Sequence, residues 1–148
     1  MRLAPASFES AVYVMIQFAS IIVIFLNVSI VPHNLYLVFG IAPFLLIGMW
    51  AIFVMKFDFN IAPDIVKGAQ LRIEGPYKLI RHPMYTSVLG FTGIYVFDSF
   101  TLFNLMMFVI LLIDLIMKLN YEEKLLVKRF PEYTEYRKRT KRIIPFIF

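Results

Sequence analysis

Two stretches of this chain, Ala11 to Val31 and Leu35 to Met55, contain no Asp, Glu, Lys or Arg. At 1.5 Å per residue each is long enough, as a helix, to cross the roughly 30 Å hydrocarbon core of a bilayer. No water is available there to satisfy backbone N–H and C=O groups, so a run of this kind is confined to helical structure. Composition agrees: 60% of residues are hydrophobic, only 17% are charged and mean hydropathy is +0.75, outside the range of soluble domains. The first run is long for a signal peptide, lacks a small-residue cleavage site after it and is followed by further apolar runs, so it is expected to stay in the protein.

Pro32, His33 and Asn34 supply turn chemistry between the two runs, which predicts a tight hairpin. Pro43 removes one backbone hydrogen bond from the second run and predicts a packing kink there. From Lys56 to His82 the pattern breaks, mixing Asp58, Asp64, Lys67, Arg72, Glu74, Lys78 and Arg81 with Pro63, Gly68, Gly75 and Pro76, and a loop outside the hydrocarbon is expected. Pro83 sits well at a first helical position and opens a short apolar run to Phe97. Asp98 and Ser99 read as a turn with capping chemistry before the fourth run, Leu102 to Met117.

The expected fold is therefore all-α: a polytopic integral membrane protein with four transmembrane helices over about 11–31, 35–55, 83–97 and 102–117. The last two make a helical hairpin, and the 148 residues make one domain. Beyond Lys118 the fourth helix is expected to continue as a cytoplasmic C-terminal amphipathic helix, with Leu119, Leu125, Leu126 and Phe130 apolar, until Pro131 stops or bends it.

Lys and Arg number one in the N-terminal tail, five between Lys56 and His82 and nine from Lys118 onward, which accounts for all fifteen. The connections around His33 and Asp98 carry none, so the positive-inside rule places both termini and the long loop in the cytoplasm. The net charge of +5 follows from orientation and from contact with anionic headgroups, and no nucleic-acid partner is expected. The absence of cysteine excludes disulfides, thiolate metal sites and a cysteine nucleophile.

Two polar segments then face the same compartment. The first, GPYKLIRHPMY from Gly75 to Tyr85, sets Tyr77, Arg81, His82 and Tyr85 at a helix start, where aromatic rings stack on a planar group and Arg and His donate to a ribose, carboxylate or phosphate. The same residue types also anchor spans at the membrane interface, so composition alone leaves both readings open. The second, DLIMKLNYEEKLLVKRF, places Asp114, Lys118, Tyr121, Glu122 and Arg129 on one helical stripe that enters the membrane edge. Asp114 is expected to face the bundle interior and pair with Lys118 one turn on. Glu122 and Glu123 are adjacent and point to different faces, so at most one contacts a given ligand atom.

GPY, RHPMY, the EExxL stretch from Glu122 to Leu126, Phe130, Tyr133, Tyr136 and basic residues before Pro145 together resemble the isoprenylcysteine carboxyl methyltransferase and phospholipid methyltransferase superfamily of membrane enzymes, over roughly residues 68–145. The resemblance implies S-adenosylmethionine-dependent methyl transfer at the cytoplasmic membrane face, yielding S-adenosylhomocysteine, with a lipophilic acceptor (carboxylate, amine or thiol) arriving from the lipid bilayer. It gives Arg81, His82, Pro83, Tyr85, Glu122 and Glu123 a role in the cofactor pocket, with Tyr77 joining by proximity. It offers Arg129 the role of orienting an acceptor carboxylate. The reaction it implies is an in-line displacement at the sulfonium methyl that needs no metal. Thr86 and Ser87 depart from the pattern, because relatives often carry a glycine after the tyrosine, and the N-terminal part is short. The alternatives are an NADPH-dependent membrane reductase of the sterol-reductase type and a non-enzymatic adaptor whose basic tail (Arg137, Lys138, Arg139, Lys141, Arg142) holds anionic lipid. Neither oligomeric state nor acceptor identity follows from these residues.

Overall fold

The computed structural model describes residues 7–29, 31, 33–56 and 70–148. Arg2, Pro32 and the centre of the long loop, with Asp58, Pro63, Asp64, Lys67 and Gly68, lie outside the described residues. The elements are α1 (Phe8–Asn27), α2 (Leu35–Val54), a 3₁₀ turn (Gly75–Lys78), α3 (Pro83–Asp98), α4 (Leu102–Arg129) and α5 (Tyr133–Arg139). Three of these, α1, α2 and α4, are long and apolar enough to cross a membrane. At 16 residues α3 spans about 24 Å, short of the hydrocarbon thickness, so its expected span is not matched by length.

Two of the helices, α1 and α4, begin where a side chain satisfies one of their first N–H groups. Ser7 caps α1, its hydroxyl accepting from Ser10 N at 3.2 Å, and Glu9 lies in the positive first turn. That cap starts the helix three residues before the apolar run, and the helix ends at Asn27, four residues earlier than expected, where Val28 turns extended. Thr101 caps α4 by accepting from Asn104 N at 3.0 Å. α2 runs unbroken through Pro43, and α4 runs unbroken from the apolar run through the Glu122–Glu123 pair to Arg129. Phe130 then leaves the helical conformation, and Pro131 separates α4 from α5.

Packing pairs α2 with α3 and α1 with α4, and α3 in turn rests on α4. The α2–α3 contact is close because Gly48 faces Ser87 and Gly90 faces the Phe44 ring; a Cβ at either glycine collides with those side chains. Ser87 Oγ also donates to Phe44 O at 2.7 Å, a side chain-to-backbone bond between these helices. Between the helices lies a core of Ile24, Leu89, Val96, Leu111, Leu115 and Leu119.

The two ends of the bundle differ. At one, Asp98 Oδ2 accepts from His33 N and contacts His33 Nδ1, both at 3.0 Å, tying the α1–α2 connection to the α3–α4 turn. At the other, Ser7 Oγ meets Tyr121 OH at 3.2 Å, and the C-terminal segment is pinned across the start of α3. The candidate segments named from the sequence thus share the second, charged end.

Candidate functional site

Gly75 opens the site with φ +57°, a left-handed conformation that an L side chain rarely adopts. Its missing Cβ also lets the turn press against Trp50 and Val54 of α2. The turn buries Tyr77, whose carbonyl accepts from Tyr136 OH at 2.6 Å, so α5 is latched to it. Three residues on, Arg81 and His82 lead into α3, with Pro83 at its first position and Tyr85 buried in its first turn.

Glu122 and Glu123 approach these residues from α4 in different ways. Glu123, 3% exposed, lies 2.7 Å from Arg81 Nε, 3.5 Å from His82 Nε2, 3.3 Å from Arg142 Nη2 and 3.9 Å from Arg137 Nε. Tyr133 OH adds a hydrogen bond at 3.4 Å. Glu122 keeps 19% of its side chain exposed and has fewer partners: Tyr85 OH donates to it at 2.7 Å, and His82 Nδ1 lies 3.4 Å away. His82 bridges the two carboxylates, and its ring lies parallel to that of Tyr85 with centroids 5.3 Å apart. Nε2 of His82 is buried with no hydrogen-bond partner, since at 3.5 Å its contact with Glu123 is an attraction between charges rather than a bond.

Burial alone pushes the His82 pKa down, but the carboxylates of Glu122 and Glu123 outweigh it and hold the ring above its ordinary value. Burial pushes Tyr77 and Tyr133 well up and Tyr136 up to about 12, helped in each by neighbouring acidic groups. These phenols therefore serve as neutral hydroxyls, not as bases.

Of the residues singled out from the sequence, the structure brings together Tyr77, Arg81, His82, Pro83, Tyr85, Glu122 and Glu123. Arg129 stands apart, exposed on the last turn of α4 with no contact to this cluster among the described residues. The expected Asp114–Lys118 pair also does not form. Lys118 Nζ instead donates to Gln17 Oε1 of α1 at 2.7 Å and sits 5.4 Å from the centre of the Tyr85 ring. Asp114, 4% exposed, is left with neither oxygen hydrogen-bonded. Sequence reasoning missed Gln17 and Arg142 as contributors. A lone amide in a charge-free run was the available signal for the first; nothing in spacing distinguishes Arg142 from its basic neighbours.

The phospholipid methyltransferase family matches residues 35–133, two thirds of the chain. The chain belongs to the phospholipid methyltransferase family. No curated protein and no solved structure matches it. The matched region spans α2, α3 and α4 and ends at Tyr133, so it encloses the cluster apart from Tyr136, Arg137 and the C-terminal partners. Membership implies a membrane methyltransferase activity.

Proposed function

We propose that this methyltransferase moves a methyl group from S-adenosylmethionine to a lipophilic or membrane-associated acceptor at the cytoplasmic face of the bilayer. In this reading α3 completes a set of four spans, its shortness accommodated by packing on α2, and the charged end faces the cytoplasm. The observation that carries the proposal is the meeting of two segments about forty residues apart, RHPMY and the glutamate pair, in one largely buried cluster.

The residues present fit the cofactor. The Glu122 carboxylate is half-committed and partly open, suited to ribose hydroxyls or to an ammonium. Tyr77 supplies an aromatic ring beside the cluster for an adenine or a sulfonium, while the Tyr85 ring is already faced by His82 and Lys118. His82 Nε2 lacks a hydrogen-bond partner and can engage a further polar atom. When bound, the cofactor supplies an electrophilic methyl group. Glu123, surrounded by cations, holds Arg81, His82 and Arg142 in place and acts as a positioning residue. A carboxylate or thiolate acceptor needs no base; for an amine, Glu122 is the group with capacity to take the proton. Arg129, exposed at the end of α4, is free to meet an acceptor carboxylate at the bilayer surface.

Calorimetric titration of the detergent-purified protein with S-adenosylmethionine, S-adenosylhomocysteine and NADPH tests this reading. Both adenosyl compounds are expected to bind. Glu122→Gln, which keeps shape and removes charge, is expected to weaken them by about 10- to 100-fold, equivalent to one charge-assisted hydrogen bond of about 1.5–3 kcal/mol. Binding of NADPH alone, or of none of the three, removes the proposal.

A further inference from the structure

Residues 140–148 form a strap across the start of α3. Arg81 N donates to Lys141 O at 2.8 Å, His82 N to Arg142 O at 2.9 Å, and Lys141 N to Leu79 O at 3.3 Å. Thr86 Oγ1 donates to Ile143 O at 2.7 Å. Thr86 lies one turn into α3, so Ile143 is held at the depth of that turn. The residues that follow fold back on it, Phe148 O accepting from Ile143 N and Ile144 N at 2.8 Å, with Phe146 in a left-handed conformation at φ 66° that closes the turn. The outward face carries Ile144, Phe146 (84% exposed) and Ile147 (74% exposed). Beside them Lys138, Arg139 and Lys141 are exposed as well, and among the described residues only Lys138 of the three has a carboxylate at hand, Glu135 at 2.6 Å.

We infer that this strap is a membrane-surface anchor whose partner is the anionic leaflet of the bilayer holding the protein, and that the contact tightens the cofactor site. Exposed apolar side chains at the level of a helix start, flanked by cations, match the boundary between acyl chains and acidic headgroups. A soluble protein partner fits less well, because Thr86 fixes the apolar tip at the first turn of an apolar helix. The link to the site is Arg142. Its guanidinium lies over the Phe148 ring at 5.3 Å and reaches Glu123 Oε2 at 3.3 Å, so one side chain touches both the anchor and the carboxylate that positions Arg81 and His82. Arg81 Nη1 in turn donates to the carbonyls of Arg137 and Thr140 at the root of the strap. The coupling rests on the proposed reading of the cluster as a methyl-donor pocket; the anchor does not.

Because the chain has no cysteine, Ile147→Cys gives a single labelling site. The full chain, carrying an environment-sensitive dye there, is placed in nanodiscs of phosphatidylcholine alone or mixed with phosphatidylglycerol, with spin-labelled lipid as quencher. Unlabelled protein in the same discs is titrated with S-adenosylhomocysteine. The dye is expected to be quenched strongly only with the anionic lipid, and the affinity to rise there at least about fivefold, the lower end of ordinary coupling between sites. The exposed triple substitution Lys138→Gln, Arg139→Gln, Lys141→Gln is expected to erase both differences. A dye that stays in water in both lipids overturns the anchor, and an inserted dye with equal affinities overturns the coupling. No binding in either lipid defeats the cofactor reading instead, while the quenching still decides the anchor.

Discussion

Glu123 and Asp114 lie nine residues apart on the same helix, both carboxylates are almost completely buried, and their surroundings are opposite. Glu123 has three arginines, a histidine and a tyrosine around it. Among the described residues neither carboxylate oxygen of Asp114 is hydrogen-bonded, and the lysine one turn away has turned to Gln17. The chain has collected cations from three separate segments to serve one carboxylate while leaving the other alone. Burial therefore does not reveal what a charged residue is for; the supply of partners does. A carboxylate with many partners from distant segments organises structure, and one with few is available to a proton or a ligand. Glu122 falls between the two, with two partners and an open side, as a cofactor contact requires.

The largest effect that follows is at Glu123. Glu123→Gln leaves Arg81, His82 and Arg142 without their common counter-charge, and breaking a buried pair from one side costs about 3–5 kcal/mol. Thermal unfolding in detergent is expected to shift down by several degrees or more, with reduced recovery of folded protein. A shift no larger than that of an exposed control such as Lys128→Gln erases the contrast with Asp114.

A smaller effect belongs to the shared histidine. His82 is held above its ordinary pKa by Glu122 and Glu123, so its charged form stabilises the folded state. That contribution is fully present below the unfolded value of about 6.5 and is lost as pH rises through the higher folded value. Unfolding temperature is expected to fall across the range just above about 6.5, and His82→Gln to flatten that slope. An equal slope in the variant assigns the titration to another group.

Much of this arrangement is legible in the amino-acid sequence, and the reasons are physical. Long apolar runs have one conformation open to them in hydrocarbon, so α1, α2 and the body of α4 can be placed to within a few residues. The RHP element and the glutamates meet as expected, because both flank apolar runs and share one end of the bundle. What local spacing does not supply is competition. Asp114 and Lys118 satisfy the one-turn rule for a pair, yet Gln17 on α1 and the Tyr85 ring on α3 win the lysine. Arg129 shares a helical stripe with Asp114 and Lys118 but is exposed, because α1 starts at Phe8, beside Tyr121, and the last two turns of α4 run past it. Arg142 reaches Glu123 through a strap held by irregular backbone bonds, which carry no periodicity to read.

The smallest expected effect is the sharpest test of the comparison. Asp114→Asn keeps the size of the side chain and removes a charge that has no hydrogen-bonded partner to lose. An unpaired ionised carboxylate in apolar surroundings is costly, so its removal is expected to leave the stability unchanged within about 0.5 kcal/mol or to raise it. The shallow groove of about 650 Å³ between α1 and α4, lined by Val12, Ile16, Ile110, Ile113 and Met117 beside Asp114, offers the amide room to settle. Lys118 keeps Gln17 and the Tyr85 ring in the variant, so its position is expected to persist, and with it the hydrogen bond from Tyr85 to Glu122. Cofactor affinity should then equal that of the parent protein. A loss of stability near that of Glu123→Gln means that Asp114 has a partner in the membrane-embedded protein, and then the distribution of partners along α4 no longer separates the structural carboxylate from the free one.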